Sequence, residues 1–255
     1  RKKMGDLGWA SEDLGLDKSI KTRFDGYTIF EEDAKIIALV VGGELSGTAN
    51  KGDTVTVVLD QTPFYAESGG QVPDHGTLTG KNGAVVVIND VQKTKDGKFL
   101  HTGKVEEGTI SVDDTVYAKI DMARRQAIAR SHTATHLLQK ALRTVLGTHV
   151  EQAGSYTDAD HIRFDFTHFS GLTAEELEKV ENMVNDAILE GYDVITEEMP
   201  IDEAKKRGAM ALFGEKYGST VRVVQAGDFS IELCGGTHLS NTAKAGVFKI
   251  IGEAS

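Results

Sequence analysis

Cysteine is nearly absent from this sequence, because Cys234 is the single thiol among 255 residues. One cysteine excludes an internal disulfide, and a free thiol at a position suited to metal binding is typical of a reducing compartment. Long hydrophobic runs are missing too, since no apolar stretch approaches the ~20 residues needed to cross a membrane. The first ten residues, RKKMGDLGWA, lack the apolar core of a signal peptide. These absences predict a cytoplasmic protein with no membrane partner.

Clustered positive charge is also missing. The formal net charge is −11, with 14 basic and 19 acidic side chains in residues 1–120 and 14 and 20 in residues 121–255. Because binding along a phosphate backbone requires clustered Lys and Arg, this balance argues against broad, non-specific nucleic-acid binding. The charge balance does not exclude a local contact between a few Arg residues and the end of one nucleic-acid strand.

The first half of the chain has a β pattern. The chain starts with Arg1 rather than methionine, so we interpret it as a fragment of a longer protein, with 1–20 as a linker or the tail of a preceding domain. Residues 21–120 contain short β-branched or aromatic runs separated by Gly, Asp and Asn. The runs are FDGYTIF, KIIALVV, DTVTVVL, AVVVIND and DTVYAKI. Many short strands at regular spacing predict a small barrel or sandwich, and we expect a barrel.

Three helices are predicted in the second half, and the third is a short one at DEAKKRGA. Residues 121–146 contain no Gly or Pro, Asp121 is a suitable N-cap, and Gly147 follows as a stop signal. The second helix is predicted from a capping box formed by Thr173 and Glu176, and it ends at Gly191.

Strands are predicted between and after these helices. The runs are HIRFDFTHF, YDVITEEMP, STVRVVQAG, DFSIELC and GVFKIIG. The expected fold class is α+β, with a small β-barrel domain at 21–120 followed by an α+β domain at 121–255. In the second domain we expect an antiparallel sheet with helices on one face.

Two residue pairs with four-residue spacing predict a metal site. His132 and His136 share one face of the predicted helix, so both imidazoles can reach one point. Cys234 and His238 flank Gly235 and Gly236, which disfavour a helix and favour a tight loop. Each pair alone is a weak signal, but three imidazoles and the one thiol together suit a tetrahedral Zn²⁺ ion.

A glycine-rich loop, TPFYAESGGQVPDHG, carries Ser68, Gly69, Gly70 and Gln71. Consecutive glycines let the backbone approach a ligand and expose N–H donors, although a plain turn or bulge is the alternative. The loop is not a P-loop, because no Lys-Ser/Thr follows it. Position 133 is Thr, so the HExxH motif of metalloproteases is absent as well.

Several longer motifs carry a family resemblance. RSHTATHLLQKALRTVLGTHVEQAGS, RFDFTH, GAMALFGEKYG and DFSIELCGGTHLSNT resemble the editing domain of alanyl-tRNA synthetases. TPFYAESGGQ resembles the barrel that precedes it there. The resemblance spans about 21–255 and does not include the aminoacylation core. Freestanding editing proteins share the barrel and both pairs, and the threonyl-tRNA synthetase editing domain is also similar. GAMALFGEKYG and the linker-like start favour the synthetase.

The resemblance implies hydrolysis of tRNA(Ala) that carries serine or glycine. The implied partners are the 3′ end of that tRNA and the rest of the parent synthetase in cis. The family's zinc positions match His132, His136, Cys234 and His238. Catalytic roles are implied for Gln152, Cys234 and Thr133. The Thr133 hydroxyl would also recognise the hydroxyl group of a serine substrate. Other residues are expected at the substrate: Ser68, Gly69, Gly70, Gln71, Gly235, Gly236, Arg163 and Gln152 itself.

The role of zinc is left open by the residues. Four protein ligands close a tetrahedral shell, whereas catalytic zinc keeps a position for water. We expect one exchangeable position, and the alternative is that zinc only organises the site. Two other functions stay possible from the sequence: a non-catalytic tRNA-binding module with structural zinc, and a metal-dependent hydrolase of small esters or peptides.

Overall fold

A computed structural model describes residues 16–211 and 217–254. Most of the predicted linker at 1–20 lies outside these residues, as does the centre of GAMALFGEKYG. The chain forms two compact units, one with the residues up to 67 and 72–125, the other with 68–71 and the residues from 126 onward. The four residues Ser68–Gln71 therefore group with the second unit rather than with the strands that flank them.

The first unit is built from short strands. In the described residues they are β1 (Arg23–Phe24), β2 (Glu31–Val41), β3 (Glu44–Ser46), β4 (Thr48–Asn50), β5 (Thr54–Leu59), β6 (Gln61–Thr62), β7 (Gly76–Gly80), β8 (Val85–Lys93), β9 (Phe99–Glu107), β10 (Thr109–Ser111) and β11 (Thr115–Ile120). Six of them form a closed antiparallel barrel in the order β2, β5, β9, β8, β7, β11 and back to β2. Closure leaves these six strands without a free edge. The predicted barrel is confirmed.

Alternation along the strands explains why the barrel forms. In β11, Val116, Ala118 and Ile120 are buried while Tyr117 is exposed. Successive side chains of a strand point to opposite faces, so each strand sends one apolar set inward. The barrel core contains Ile36, Leu39, Val57, Leu59, Phe64, Leu78, Ile88, Val105 and Ile110, among others.

One predicted strand of this unit is wrong. FDGYTIF does not form a strand beyond Phe24, because residues 25–30 turn back on themselves. Thr28 and Ile29 donate their N–H groups to the Asp25 carbonyl at 3.3 and 3.0 Å. Hydrogen bonds of a local turn at Asp25 thus take the place of hydrogen bonds to a neighbouring strand. Conversely, β7 and β9 form although their Gly and polar content gave no strand signal.

The chain continues with helices and further strands. They are α1 (Met122–Leu146), β12 (Gln152–Thr157), β13 (Ile162–Phe166), α2 (Ala174–Glu190), β14 (Val194–Pro200), α3 (Ile201–Lys206), β15 (Thr220–Ala226), β16 (Ser230–Leu233) and a 3₁₀ turn (Thr242–Ala245). β12 and β13 form one antiparallel pair, and β14, β15 and β16 form an antiparallel sheet in that order. No described helix has the length and apolar character to span a membrane.

Helices and a strand share one core in the second unit. Buried members come from α1, α2, β15 and the loop after α1, and they are Leu137, Ala141, Leu142, Val150, Val180, Val184, Ala187, Ile188 and Ala226. The α+β class is confirmed.

The predicted strand GVFKIIG is also wrong. Residues 246–252 form no strand, and Val247 and Ile251 are almost fully exposed. The backbone of this segment bonds to side chains of α2 instead of pairing with another strand. Phe248 N–H donates to Asn185 Oδ1 and Ile250 N–H to Glu181 Oε1, both at 2.8 Å. The segment has apolar, β-branched residues typical of a strand, but side chains of α2, not a neighbouring strand, bond to its backbone.

Candidate metal centre

The long helix α1 brings two imidazoles together. His132 and His136 are buried, and their ring centroids lie 5.3 Å apart. The helix begins as predicted, since Arg124 N–H donates to Asp121 Oδ1 at 3.1 Å. Four-residue spacing then places both rings on one face of α1.

A loop after β16 supplies the thiol and the third imidazole. Cys234 follows the last residue of β16, and Gly235–Gly236 forms a tight loop, as predicted. Arg222 Nη1 donates to the carbonyls of Cys234 and Gly236 at 2.9 and 2.8 Å, which holds the loop. Gly236 N–H donates to Cys234 Sγ at 3.3 Å. A donor directed at sulfur stabilises the thiolate, the form that binds metals.

The four side chains converge. One potential ligand atom from each of His132, His136, Cys234 and His238 lies within 4.8 Å of the other three. Cys234 Sγ lies 3.4 Å from His132 Nε2 and 3.3 Å from His238 Nε2. Bonds of about 2.3 Å to sulfur and 2.0–2.1 Å to nitrogen at a tetrahedral angle separate S and N by about 3.6 Å. The cluster therefore has the donor types and the spacing of a zinc site.

The protonation of the cluster also suits a cation. Burial lowers the pKa of His132 to about 4, and it lowers the pKa of His136 and His238 well below the usual value. Neighbouring imidazoles and Arg222 lower the last two further. Neutral imidazole is the metal-binding form, so the three imidazoles are already in that state at pH 7.

The Gln71 side chain contacts the cluster from the segment Ser68–Gln71. Its Oε1 lies 2.7 Å from His132 Nδ1 and accepts the Thr237 N–H at 2.9 Å. Its Nε2 donates to Thr237 Oγ1 at 2.8 Å. Gln71 is only 1% exposed. Its predicted contact with substrate stays a prediction, while its contact with a metal-ligand candidate is observed.

Thr133 contacts the cluster on another side. Its hydroxyl lies 3.1 Å from His238 Nδ1 and accepts the Leu239 N–H at 3.1 Å. The residue is buried. Its predicted role in reading serine stays a prediction, and in this structure the hydroxyl orients His238.

Gln152 is connected to the glycine-rich segment through Ser155. Gln152 Nε2 donates to Ser155 Oγ at 3.1 Å, and Ser155 Oγ donates to the Gly69 carbonyl at 3.4 Å. Thr157 N–H donates to the Gly70 carbonyl at 2.8 Å. The strand β12 thus carries Gln152 along the segment that holds Gln71.

Arg163 is the exposed residue of the otherwise partly buried strand β13. Its Nε pairs with Asp165 Oδ1 at 3.1 Å, and both side chains are solvated. The structure thus shows an ion pair, and a contact with substrate stays a prediction.

Glu232 is a member of the site that the sequence analysis missed. Its Oε2 lies 3.3 Å from His136 Nε2, and burial raises its pKa to about 8. A signal was present, since residues two apart on a strand share a face and Glu232 precedes Cys234 by two. A buried carboxyl next to the imidazole of a candidate ligand restricts the orientation of that ring.

Two family models match this chain. Residues 9–124 match the model described as tRNA synthetases class II (A), and residues 221–255 match Threonyl and Alanyl tRNA synthetase second additional domain. An alanine–tRNA ligase of Acetivibrio thermocellus is 58% identical over 239 residues, which are 94% of this chain and 27% of that protein. The chain belongs to the alanyl-tRNA synthetase family. A ligase of Bacillus velezensis is 51% identical over 238 residues, covering 93% of the chain and 27% of the relative.

The chain spans little more than a quarter of the length of those relatives. Thermoanaerobacter sp. (strain X514) has an alanine–tRNA ligase that is 49% identical over 247 residues, 97% of the chain and 28% of that protein. Cys234 and His238 lie inside the match to the second additional domain, whereas His132 and His136 lie between the two matched ranges. The candidate centre therefore combines a pair from inside a matched domain with a pair from outside it.

Proposed function

We propose that this chain is the editing part of an alanyl-tRNA synthetase and acts in the cytoplasm. It hydrolyses the ester of tRNA(Ala) that carries serine or glycine, and the rest of the synthetase in cis delivers the tRNA. The observation that carries the proposal is the convergence of His132, His136, Cys234 and His238 in a member of this family.

A hydrolytic site is needed because one binding pocket can discriminate only weakly between similar amino acids. A pocket for alanine cannot strongly reject serine, which adds a hydroxyl, or glycine, which lacks one methyl group, because such differences change binding by only about 1–3 kcal/mol. A second site that removes the wrong residue supplies the missing discrimination.

The four side chains would hold Zn²⁺. When bound, zinc polarises an ester carbonyl or lowers the pKa of a water to about 7. The chain itself supplies neutral imidazoles and a thiol that accepts an N–H from Gly236. Thr133 and Glu232 orient the rings of His238 and His136.

Gln152 is the residue we assign to the reacting groups. Its Nε2 is held by Ser155, while its Oε1 accepts no hydrogen bond from the described part of the chain. The amide can therefore orient the attacking water or the amino group of the substrate. Gly69, whose carbonyl accepts the Ser155 hydroxyl, is exposed next to this pair and offers backbone for the aminoacyl end.

A structural zinc is the second candidate role. Four protein donors fill a tetrahedral shell, which is the pattern of a structural site. In that case the chain would bind the tRNA without hydrolysing it.

The decisive experiment measures hydrolysis of Ser-tRNA(Ala) and Gly-tRNA(Ala) by this chain, with Ala-tRNA(Ala) as the spared substrate. We expect a chelator to abolish the activity and Gln152→Ala to lower it by about 10²-fold while the protein stays folded. Gln225→Ala, a part-buried glutamine of β15 bonded to Gly227, is the matched control. Equal hydrolysis by Gln152→Ala and wild type would contradict the role of Gln152. No hydrolysis by zinc-loaded wild type would mean either that the missing parts of the synthetase must deliver the tRNA or that zinc is structural, and the same assay in the full-length synthetase separates the two.

A further inference from the structure

Gln71 is the buried polar side chain of the segment Ser68–Gln71. Its amide makes three hydrogen-bond contacts, to His132 Nδ1, Thr237 N and Thr237 Oγ1, at 2.7 to 2.9 Å. His132 lies on α1 and Thr237 lies between Cys234 and His238. One amide thus connects the two segments that carry the candidate ligands.

The donor pattern determines the tautomer of His132. Thr237 N–H can only donate, so the Gln71 atom that it contacts is the carbonyl oxygen Oε1, which can only accept. The same oxygen faces His132 Nδ1, and this nitrogen must therefore carry the proton. The unprotonated Nε2 then faces Cys234 Sγ, 3.4 Å away. Nε2 is thereby left as the ligand atom.

Backbone geometry delivers the amide to this place. Gly69 and Gly70 adopt φ values of 56° and 83°, in the left-handed region that favours glycine. A Cβ on Gly70 would also collide with the Ser155 backbone. Gln71 pairs with Thr157 as an isolated β-bridge. The glycines let the chain turn tightly against β12 and place Gln71 beside His132.

We propose that Gln71 is a positioning residue of the metal centre: it fixes the tautomer and ring orientation of His132 and connects that ring to the Cys234–His238 loop. The inference rests on the proposed metal centre and assigns Gln71 a role other than substrate contact. Outer partners of this kind commonly change metal affinity by about 10–100-fold when they are removed.

Three variants test this role. Gln71→Met keeps the length of the side chain and removes both polar atoms. Gln71→Glu keeps an oxygen acceptor for His132 and Thr237. Gln139→Met removes another buried glutamine amide, which on α1 contacts Met210 Sδ, and serves as the control for loss of stability.

Two readouts are independent of catalysis. The first is the dissociation constant for Zn²⁺ or Co²⁺, measured by competition with a chelator. We expect a 10–100-fold weaker constant for Gln71→Met and wild-type-like constants for Gln71→Glu and Gln139→Met. The second is the ¹⁵N NMR signature of His132 in the metal-free protein. We expect the Nδ1–H tautomer in wild type and in Gln71→Glu, and its loss in Gln71→Met.

Retention of the Nδ1–H tautomer by Gln71→Met would overturn the inference, and so would an unchanged dissociation constant. Failure of wild type to bind either metal would contradict the metal centre itself. The tautomer measurement needs no metal, so it decides the role of Gln71 separately.

Discussion

Gly236 packs directly against the ring of His132. A methyl group added at this position would collide with the imidazole and would lie 2.8 Å from Gln71 Oε1. For Gly236→Ala we therefore expect the ring to move and zinc affinity to fall by about tenfold or more, as when outer contacts of a ligand are lost. Chelator competition measures this.

Gly171→Ala is the control for that substitution, because its added methyl would make only an ordinary contact, 3.9 Å from Glu253 Oε1. Equal zinc affinity of Gly236→Ala and wild type would show that the ring has room, which would contradict the packing argument.

His101 is a buried histidine whose pKa differs between the folded and the unfolded protein. His101 Nδ1 lies 2.9 Å from the Val57 carbonyl and Nε2 lies 2.7 Å from Thr62 Oγ1, inside the barrel unit. Burial lowers its pKa from 6.5 to about 4. Between these values the unfolded chain binds a proton that the folded chain does not. Stability is thus complete above pH 6.5 and is lost as the pH falls toward 4.

We expect this effect to lower the free energy of unfolding by about 2 kcal/mol between pH 7 and pH 5. Urea unfolding of wild type and His101→Gln at both values measures it, and comparing the two pH differences cancels the other titrating groups. A variant with the same pH dependence as wild type would contradict the argument.

At the scale of single residues, local sequence patterns predict those side chains whose partners lie close in sequence. His132 with His136, and Cys234 with His238, were visible because four-residue spacing means proximity on a helix or across a tight loop. The contact of Gln71 with His132 spans 61 residues, so no local pattern could show it. Glu232 was missed because a carboxylate on a short strand usually faces solvent, and its burial depends on packing.

Among the elements, local signals predicted the helices and failed at segments that depend on distant partners. The α2 capping box forms as predicted, with Thr173 Oγ1 accepting Glu176 N–H at 3.1 Å and Gly191 in the left-handed conformation. GVFKIIG has the apolar, β-branched residues of a strand, but a strand also requires a neighbouring strand. FDGYTIF fails for the opposite reason, since turn bonds to Asp25 form within the segment.

Asn185 holds the extended segment after the 3₁₀ turn. It accepts the Phe248 N–H at 2.8 Å and donates to the Phe248 carbonyl at 2.9 Å. For Asn185→Ala we expect a loss of about 1–2 kcal/mol in the free energy of unfolding, because two backbone groups lose their partner.

Urea denaturation measures the effect of Asn185→Ala, and Glu178→Ala, at an exposed position of the same helix, is the control. If Asn185→Ala unfolds at the same urea concentration as Glu178→Ala, the amide does not hold the segment.

For the whole molecule, we expect zinc binding to stabilise the two compact units to different extents. The four candidate ligands all belong to the second unit. A ligand that binds only the folded state stabilises it by about 2.7 kcal/mol at 100 times its dissociation constant. That stabilisation should first oppose openings that separate α1 from the loop after β16, because those openings break the cluster.

Hydrogen exchange with and without zinc tests this expectation. We expect slower exchange at the amides of Ser230–Leu233 and of Gly236 and Thr237, whose N–H groups face Cys234 Sγ and Gln71. Gln71 N–H, bonded to the Ser68 carbonyl, should slow with them although it precedes α1 in the chain. The amides of Val85–Lys93 in the barrel serve as the internal control. Equal slowing at both sets would show that zinc stabilises only global folding, whereas no slowing near Cys234 would contradict a metal centre at this cluster.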